Sequence, residues 1–411
     1  MYAINPNLEI ISKNQNLFAK INEKIFPISN EELLVLKIIS ENLNPITVSE
    51  KFNIPLKCIT YNIESCLSKK LISREKPLLT RENNDSPEVF ILQWHITNKC
   101  DLNCKHCYDR TKRDEISYND TINVMKDLYI FCFKYSVFPQ ITFTGGNPFL
   151  HKDFIKLYKN ASEMGFIIGI LGNPVEEKKL VEILKIQKPS FYQISLEGME
   201  EYNDFIRGKG HFKKAINFLK ILKKYEIYAS VMLTLHKGNI NQVFELIKIL
   251  EGIADSFTFN RLSLVGEGEN LQIFSKDEYI EFLKKYIEIA KDKPFVRLKD
   301  NLINILLYKK EKKFFGGCTG FGCGAAFNFV ALLPDGEVHA CRKFPSFIGN
   351  IIENTLEEIY FSEKAKNYRE GPEECKNCPI NFVCRGCLAV IYNFHKDVKK
   401  FKDPYCFFNK I

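Results

Sequence analysis

The chain has 411 residues, 45% of them hydrophobic and 26% charged, which fits two or three globular domains and excludes a disordered or fibrous protein. Its net charge of +8 comes from Lys and Arg scattered over the whole length. No basic block marks a nucleic-acid tail, and a mildly positive surface suits an acidic partner instead. Residues 1–17 lack a basic region followed by a long apolar run, and apolar stretches such as Phe166–Leu171 are too short to span a bilayer. A soluble, cytoplasmic protein without a membrane or nucleic-acid partner is expected.

Residues 1–76 read as a small separate unit. Apolar runs at Leu8–Ile11 and Leu17–Ile21 predict strands, and Ser29 with Glu32 forms a capping-box pattern before Leu33–Ile39. Pro45 separates that helix from Val48–Phe52. After Pro55, apolar residues at Ile59, Ile63, Cys66, Leu67 and Leu71 share one helix face. Two or three strands with three short helices predict a winged helix-turn-helix. The polar, proline-flanked stretch that follows predicts a linker over 77–87.

From Val89 strand-like runs alternate with amphipathic helices. The runs are Val89–Trp94, Gln140–Phe143, Phe166–Leu171, Phe191–Ser195, Tyr228–Leu233 and Phe257–Leu262. The first intervening helix carries Ile122, Met125, Tyr129 and Cys132 on one stripe. Such alternation predicts an α/β fold with a parallel sheet, a partial (β/α)6 TIM barrel over 88–313 with its function at the carboxyl ends of the strands. From Phe314 to 411 the periodicity fades and cysteine and glycine dominate, so this segment is expected to owe its fold to bound metal.

Fourteen cysteines are many for a reducing compartment, where clustered thiols point to metal or redox work. Cys58, Cys66 and Cys132 stand apart and read as buried or free thiols. Cys100, Cys104 and Cys107 follow the first strand at a spacing expected by chance only about 0.02 times per chain. Three thiolates leave one iron of a [4Fe–4S] cluster open to a chelating molecule, with a zinc site as the alternative. Downstream, Cys318, Cys323, Cys341, Cys375, Cys378, Cys384, Cys387 and Cys406 supply enough thiolates for two more clusters, with a pair of zinc knuckles as the alternative.

Cys-x3-Cys-x-x-Cys, with His106 where an aromatic residue is usual, resembles the signature of the radical S-adenosylmethionine (SAM) superfamily. The resemblance implies that the open iron chelates SAM, whose reductive cleavage yields a 5′-deoxyadenosyl radical. It puts Tyr108 near the adenine. Thr144-Gly145-Gly146-Asn147-Pro148 resembles the family's Gly-Gly-Glu-Pro motif at the SAM amino group, with Asn147 in place of glutamate. Asn147 can still accept from an ammonium but without charge assistance. Ser195-Leu-Glu197-Gly198 and Arg207-Gly208-Lys209-Gly210 are similar to a later motif that brings Ser195 to SAM and Arg207 to its carboxylate. A surface ion pair is the alternative for Arg207. Asn173, Arg261 and Gly266 are further candidates for lining the site.

The C-terminal cysteines resemble the SPASM extension of radical SAM peptide-modifying enzymes. That likeness implies Cys318, Cys323, Cys341 and Cys387 around one auxiliary [4Fe–4S] cluster and Cys375, Cys378, Cys384 and Cys406 around a second, three clusters in all. The two-residue gap between Cys384 and Cys387 departs from the usual three. Arg342 stands where the sulfatase-maturing branch has a catalytic aspartate, which disfavours that activity. Residues 1–76 resemble the leader-peptide recognition domain of peptide maturases, and the DNA-binder alternative is weakened because the third helix offers only Lys57, Lys69 and Lys70. The expected function is radical modification, such as crosslinking, of a ribosomal precursor peptide, with an acidic electron donor such as flavodoxin or ferredoxin. A small-molecule or folded-protein substrate, or a DNA-binding redox sensor, are the alternatives.

Overall fold

The computed structural model describes residues 1–75, 79, 86–311 and 313–408. Most of the expected linker lies outside the described residues.

The N-terminal unit runs β1 (Tyr2–Ile4), β2 (Leu8–Lys13), β3 (Asn16–Ile21), β4 (Lys24–Ile28), α1 (Asn30–Ser40), α2 (Pro45–Phe52), α3 (Leu56–Ser68) and β5 (Ile72–Arg74). β2, β3 and β4 form an antiparallel sheet, and β1 pairs separately with β5. The two hairpin turns carry Asn14, Gln15 and Asn22 at positive φ, which two-residue turns favour. β4 contains Pro27, and β1 and β5 have three residues each, so none of them carries a legible period. The Ser29–Glu32 capping box forms, with Glu32 N to Ser29 Oγ at 3.1 Å and Ser29 N to Glu32 Oε2 at 2.8 Å. Ile59, Ile63 and Cys66 of α3 are buried, and Thr60 Oγ1 meets Tyr129 OH of the next unit at 3.1 Å.

That unit alternates strands with helices, two of them between β9 and β10: β6 (Val89–Thr97), α4 (Tyr118–Lys134), β7 (Phe138–Gly145), α5 (Phe154–Glu163), β8 (Ile167–Leu171), α6 (Glu177–Leu184), β9 (Phe191–Ser195), α7 (Glu200–Arg207), α8 (His211–Lys224), β10 (Ala229–Leu235), α9 (Val243–Leu250), β11 (Ser256–Arg261) and α10 (Lys276–Asp292). Six parallel strands lie side by side in chain order from β6 to β11. Every residue of these strands is buried or half-buried, because a parallel sheet is covered on both faces.

The remaining elements are α11 (Ile303–Glu311), β12 (Phe329–Leu332), β13 (Glu337–His339), β14 (Phe347–Asn350), α12 (Leu356–Phe361), α13 (Glu363–Glu370) and α14 (Leu388–His395). β12 lies parallel to β6, from Phe329 opposite Ile91 to Leu332 opposite Trp94, and extends the sheet to nine strands. The expectation that this segment owes its fold to bound metal is incomplete, because it also pairs with the sheet and packs an apolar core. β12 is buried throughout but has only four residues, too few to show a period, and Leu356, Ile359, Tyr360 and Ile391 pack into the same core.

Candidate active site and metal centres

At the carboxyl end of β6 the chain leaves the sheet as an irregular loop holding Cys100, Cys104 and Cys107. The turn after β7 presses against this loop, with Gly146 N donating to Thr97 O at 2.8 Å and Asn147 N to Lys99 O at 2.8 Å. A Cβ on Gly146 would stand 2.1 Å from Lys99 O, so only glycine permits the approach.

A cavity of about 380 Å³ opens here. Cys100, Cys104, Cys107 and Tyr108 line one wall, and Gly145, Gly146, Ser195 and Arg207 another. Asn173 lines it too and donates from Nδ2 to Asp101 Oδ1 at 2.6 Å, with Cys100 Sγ 3.5 Å away. Asn147 differs from expectation, because its side chain does not line the cavity. Its Oδ1 accepts from Phe149 N at 3.2 Å and its Nδ2 donates to Asp101 Oδ1 at 3.0 Å, so it braces the cysteine loop. Gly266 packs against the carbonyls of Cys107 and Tyr108.

Arg207 ends α7 and reaches back to the cysteine loop. Its Nε and Nη2 donate to Glu197 Oε1 at 2.9 and 2.5 Å, and its Nη1 stands 3.7 Å from Cys104 Sγ. Glu197 is fully buried and also accepts from Thr234 N at 2.8 Å, with His106 Nε2 2.9 Å away. Burial alone would raise its pKa, yet His106, Arg207 and the Thr234 amide hold it well below the usual carboxylate range. Burial pushes the Cys104 thiol up to about 11 despite the opposing pull of Arg207, and raises Cys100 as well. Metal binding must therefore displace protons from both thiols.

Cys318, Cys323, Cys341 and Cys387 surround a second cavity of about 40 Å³ with Lys299 and Lys343, whose Nζ is 3.9 Å from Cys387 Sγ. Cys375, Cys378, Cys384 and Cys406 surround a third of about 20 Å³. Burial pushes Cys323 and Cys375 up to about 12. Among the described residues no three His, Cys, Asp or Glu side chains converge on a single-ion site. All-thiol sets around an open space, with lysines beside one of them, fit a multi-iron cluster whose thiolate ligands add negative charge. Cys66 and Cys132 are buried and Cys58 partly so, away from all three cavities.

Some contacts at the site are not legible in the sequence. The SLEG motif was legible, but not that Glu197 is the partner of Arg207. Arg261 lines the cavity, yet its charge is spent on Asp300 and Asp403. Arg342 also lines it, donating from Nη1 to Thr144 Oγ1 at 3.3 Å with its guanidinium 5.8 Å from the Tyr108 ring centre. His95, near Tyr108 OH at 3.4 Å, lies on a strand where nothing local marks it.

The chain matches the Radical SAM superfamily over residues 94–250 and the SPASM iron–sulfur cluster-binding domain over 323–379. It carries a radical SAM domain and a SPASM domain and is an enzyme, with SAM and [4Fe–4S] clusters as cofactors. Among its relatives, the antilisterial bacteriocin subtilosin biosynthesis protein AlbA of Bacillus subtilis is 24% identical over 79% of this chain and 72% of its own length. An AdoMet-dependent heme synthase of Methanosarcina barkeri is 25% identical over 77% of this chain and 96% of its own. In fold, Streptococcus suis SuiB bound to precursor peptide SuiA is similar over 99% of this chain and 100% of that one, with a TM-score of 0.62 at 15% identity. No helix among the described residues is long and apolar enough to cross a membrane.

Proposed function

We propose that this enzyme modifies a peptide made on the ribosome. In this reading residues 1–76 form a winged-helix recognition unit, 77–87 a linker, 88–313 a partial barrel and 314–411 the SPASM unit. The observation that carries the reading is the reach of the fold likeness. It covers 99% of the chain, so it runs through the N-terminal unit, and that neighbour was crystallised with its precursor peptide. The likeness to the subtilosin biosynthesis protein points the same way.

Three [4Fe–4S] clusters are proposed, on Cys100, Cys104 and Cys107, on Cys318, Cys323, Cys341 and Cys387, and on Cys375, Cys378, Cys384 and Cys406. The first, with SAM on its open iron, supplies a 5′-deoxyadenosyl radical after one-electron reduction. The backbone at Gly145 and Gly146, with Ser195, Tyr108 and Arg207, lines the cavity and orients SAM. Asn147 serves the site through Asp101. The leader peptide docks as an added strand on the N-terminal unit, and an acidic flavodoxin or ferredoxin supplies the electron to a chain of net charge +8.

The test is anaerobic co-expression with short peptides encoded beside the gene, read by mass spectrometry. One of them should change mass with the full chain and much less with a chain lacking residues 1–76. Docking raises the local concentration of the segment to be modified, and that gain is lost with the docking unit. SAM cleavage should survive the deletion. The heme-synthase likeness supports a second reading. If no neighbouring peptide changes mass and an iron porphyrin is converted instead, that second reading replaces the first.

A further inference from the structure

We infer that Arg207, held in place by Glu197, is an electrostatic clamp on the Cys104 thiolate that raises the reduction potential of the first cluster. The inference rests on the three-cysteine site and not on the peptide reading.

The guanidinium of Arg207 has little freedom. Two of its nitrogens, Nε and Nη2, are committed to Glu197 Oε1 at 2.9 and 2.5 Å, which fixes its plane. The remaining Nη1 points at Cys104 Sγ, 3.7 Å away. Glu197 is itself immobile, because Thr234 N donates to its other oxygen at 2.8 Å and the residue is fully buried. The cysteine loop also comes close to this carboxylate. His106 Nε2 stands 2.9 Å from Glu197 Oε1, and Lys105 N donates to Ile206 O at 2.9 Å, which staples the loop to the end of α7. The helix stops there because Gly208 takes a φ of +112°.

The arrangement treats the three thiols unequally. Cys100 has the neutral amide of Asn173 beside it at 3.5 Å, and Cys107 Sγ lies 3.3 Å from the Asp109 carbonyl. Cys104 has the guanidinium of Arg207 3.7 Å from its sulfur. Donors and cations at a ligand sulfur favour the cluster state carrying one more electron, and a buried site enlarges the effect. Glu197 takes two nitrogens of Arg207 and leaves Nη1 to the sulfur, so it moderates the cation without cancelling it. Glu197 is thus a positioning residue that acts through Arg207. The SAM carboxylate, which the resemblance assigns to Arg207, would find two of its donors already taken.

The test is an anaerobic redox titration of the reconstituted full chain without SAM, read by electron paramagnetic resonance. Dithionite delivers one electron to the first cluster, no bond is made or broken, and that cluster's signal is identified by its change on later addition of SAM. Arg207→Gln should shift the midpoint to more negative values and Arg207→Lys should restore most of the shift. Glu197→Gln should shift it the opposite way, because a negative charge is lost while the cation stays. Loosening of the loop alone would move every variant in the same direction. An unchanged SAM-free midpoint in Arg207→Gln at full iron content would overturn the inference, and so would a common sign. A loss of SAM affinity with an unchanged midpoint would return Arg207 to the SAM carboxylate. If Arg207→Gln fails to load the first cluster, Glu197→Gln decides alone, and a negative or absent shift overturns the clamp.

Discussion

Asp403→Ala should cost the fold about 3–5 kcal/mol, the range for breaking one partner of a buried ion pair. Arg261 is 2% exposed at the end of β11. It donates from Nη1 and Nη2 to the two oxygens of Asp403 at 2.9 and 2.6 Å and from Nε to Asp300 at 2.8 Å. The rings of Tyr279 and Tyr405 lie 5.2 and 5.5 Å from its guanidinium carbon, so water cannot replace a lost carboxylate there. Asp403 also accepts from Cys387 N at 2.9 Å and Tyr405 N at 3.0 Å. The substitution therefore leaves Arg261 with Asp300 as its remaining carboxylate and strands two of its nitrogens and two backbone donors, and it loosens the segment that carries Cys406 and Cys387. Anaerobic guanidinium unfolding of the full chain, followed by circular dichroism, gives the loss, and iron analysis should register a shortfall. The exposed pair Lys188–Glu226, with side chains 50% and 87% accessible, is the control, and Glu226→Ala should cost roughly 0–1 kcal/mol. A loss below about 1 kcal/mol for Asp403→Ala would refute the view that this contact welds the SPASM segment to the sheet.

Reconstituted enzyme should hold about twelve irons, and the triple variant Cys100→Ala, Cys104→Ala, Cys107→Ala about eight with no release of 5′-deoxyadenosine, since only a three-thiolate cluster has an open iron. Stoichiometric zinc in place of the missing irons would contradict this. Gly146→Ala forces a Cβ to within 2.1 Å of Lys99 O, so the cysteine loop must move, at about 1–3 kcal/mol, and SAM binding measured by calorimetry should weaken about tenfold or more. Glu32 shows a pH dependence of known sign. Burial alone would raise its pKa, but hydrogen bonds from Lys69, Ser65 and the Ser29 amide outweigh burial and leave it below the ordinary carboxylate value. Its stabilising effect is therefore present above the ordinary carboxylate pKa and is lost as pH falls through the lowered folded value. Glu32→Gln should remove that dependence and cost about 1 kcal/mol at neutral pH, read as faster hydrogen exchange in α1. Equal exchange in parent and variant at pH 7 would count against it.

The sequence by itself determined whatever is local. Six strand runs between Val89 and Leu262 carry the alternation that a helix-covered parallel sheet requires, and all six are strands in the fold. The capping box at Ser29 and Glu32 was legible because its two bonds span three residues. Cys100, Cys104 and Cys107 were legible for the same reason, and two glycines after a strand announced a close backbone approach. The tertiary structure alone decided what depends on distant segments. β12 is too short to have a period, and its partner Ile91 lies more than 230 residues upstream of Phe329. Arg261 and Asp403 are 142 residues apart and meet only because the last segment folds back over the end of β11. The side chain of Asn147 turned to Asp101 because the tight approach at Gly146 puts it beside the cysteine loop. Arg207 stood in a recognisable motif, but the sequence did not reveal that its charge is held by Glu197 and aimed at Cys104. A buried charge takes whichever partner the fold brings within hydrogen-bond reach, and that reach is a property of packing, not of spacing along the chain.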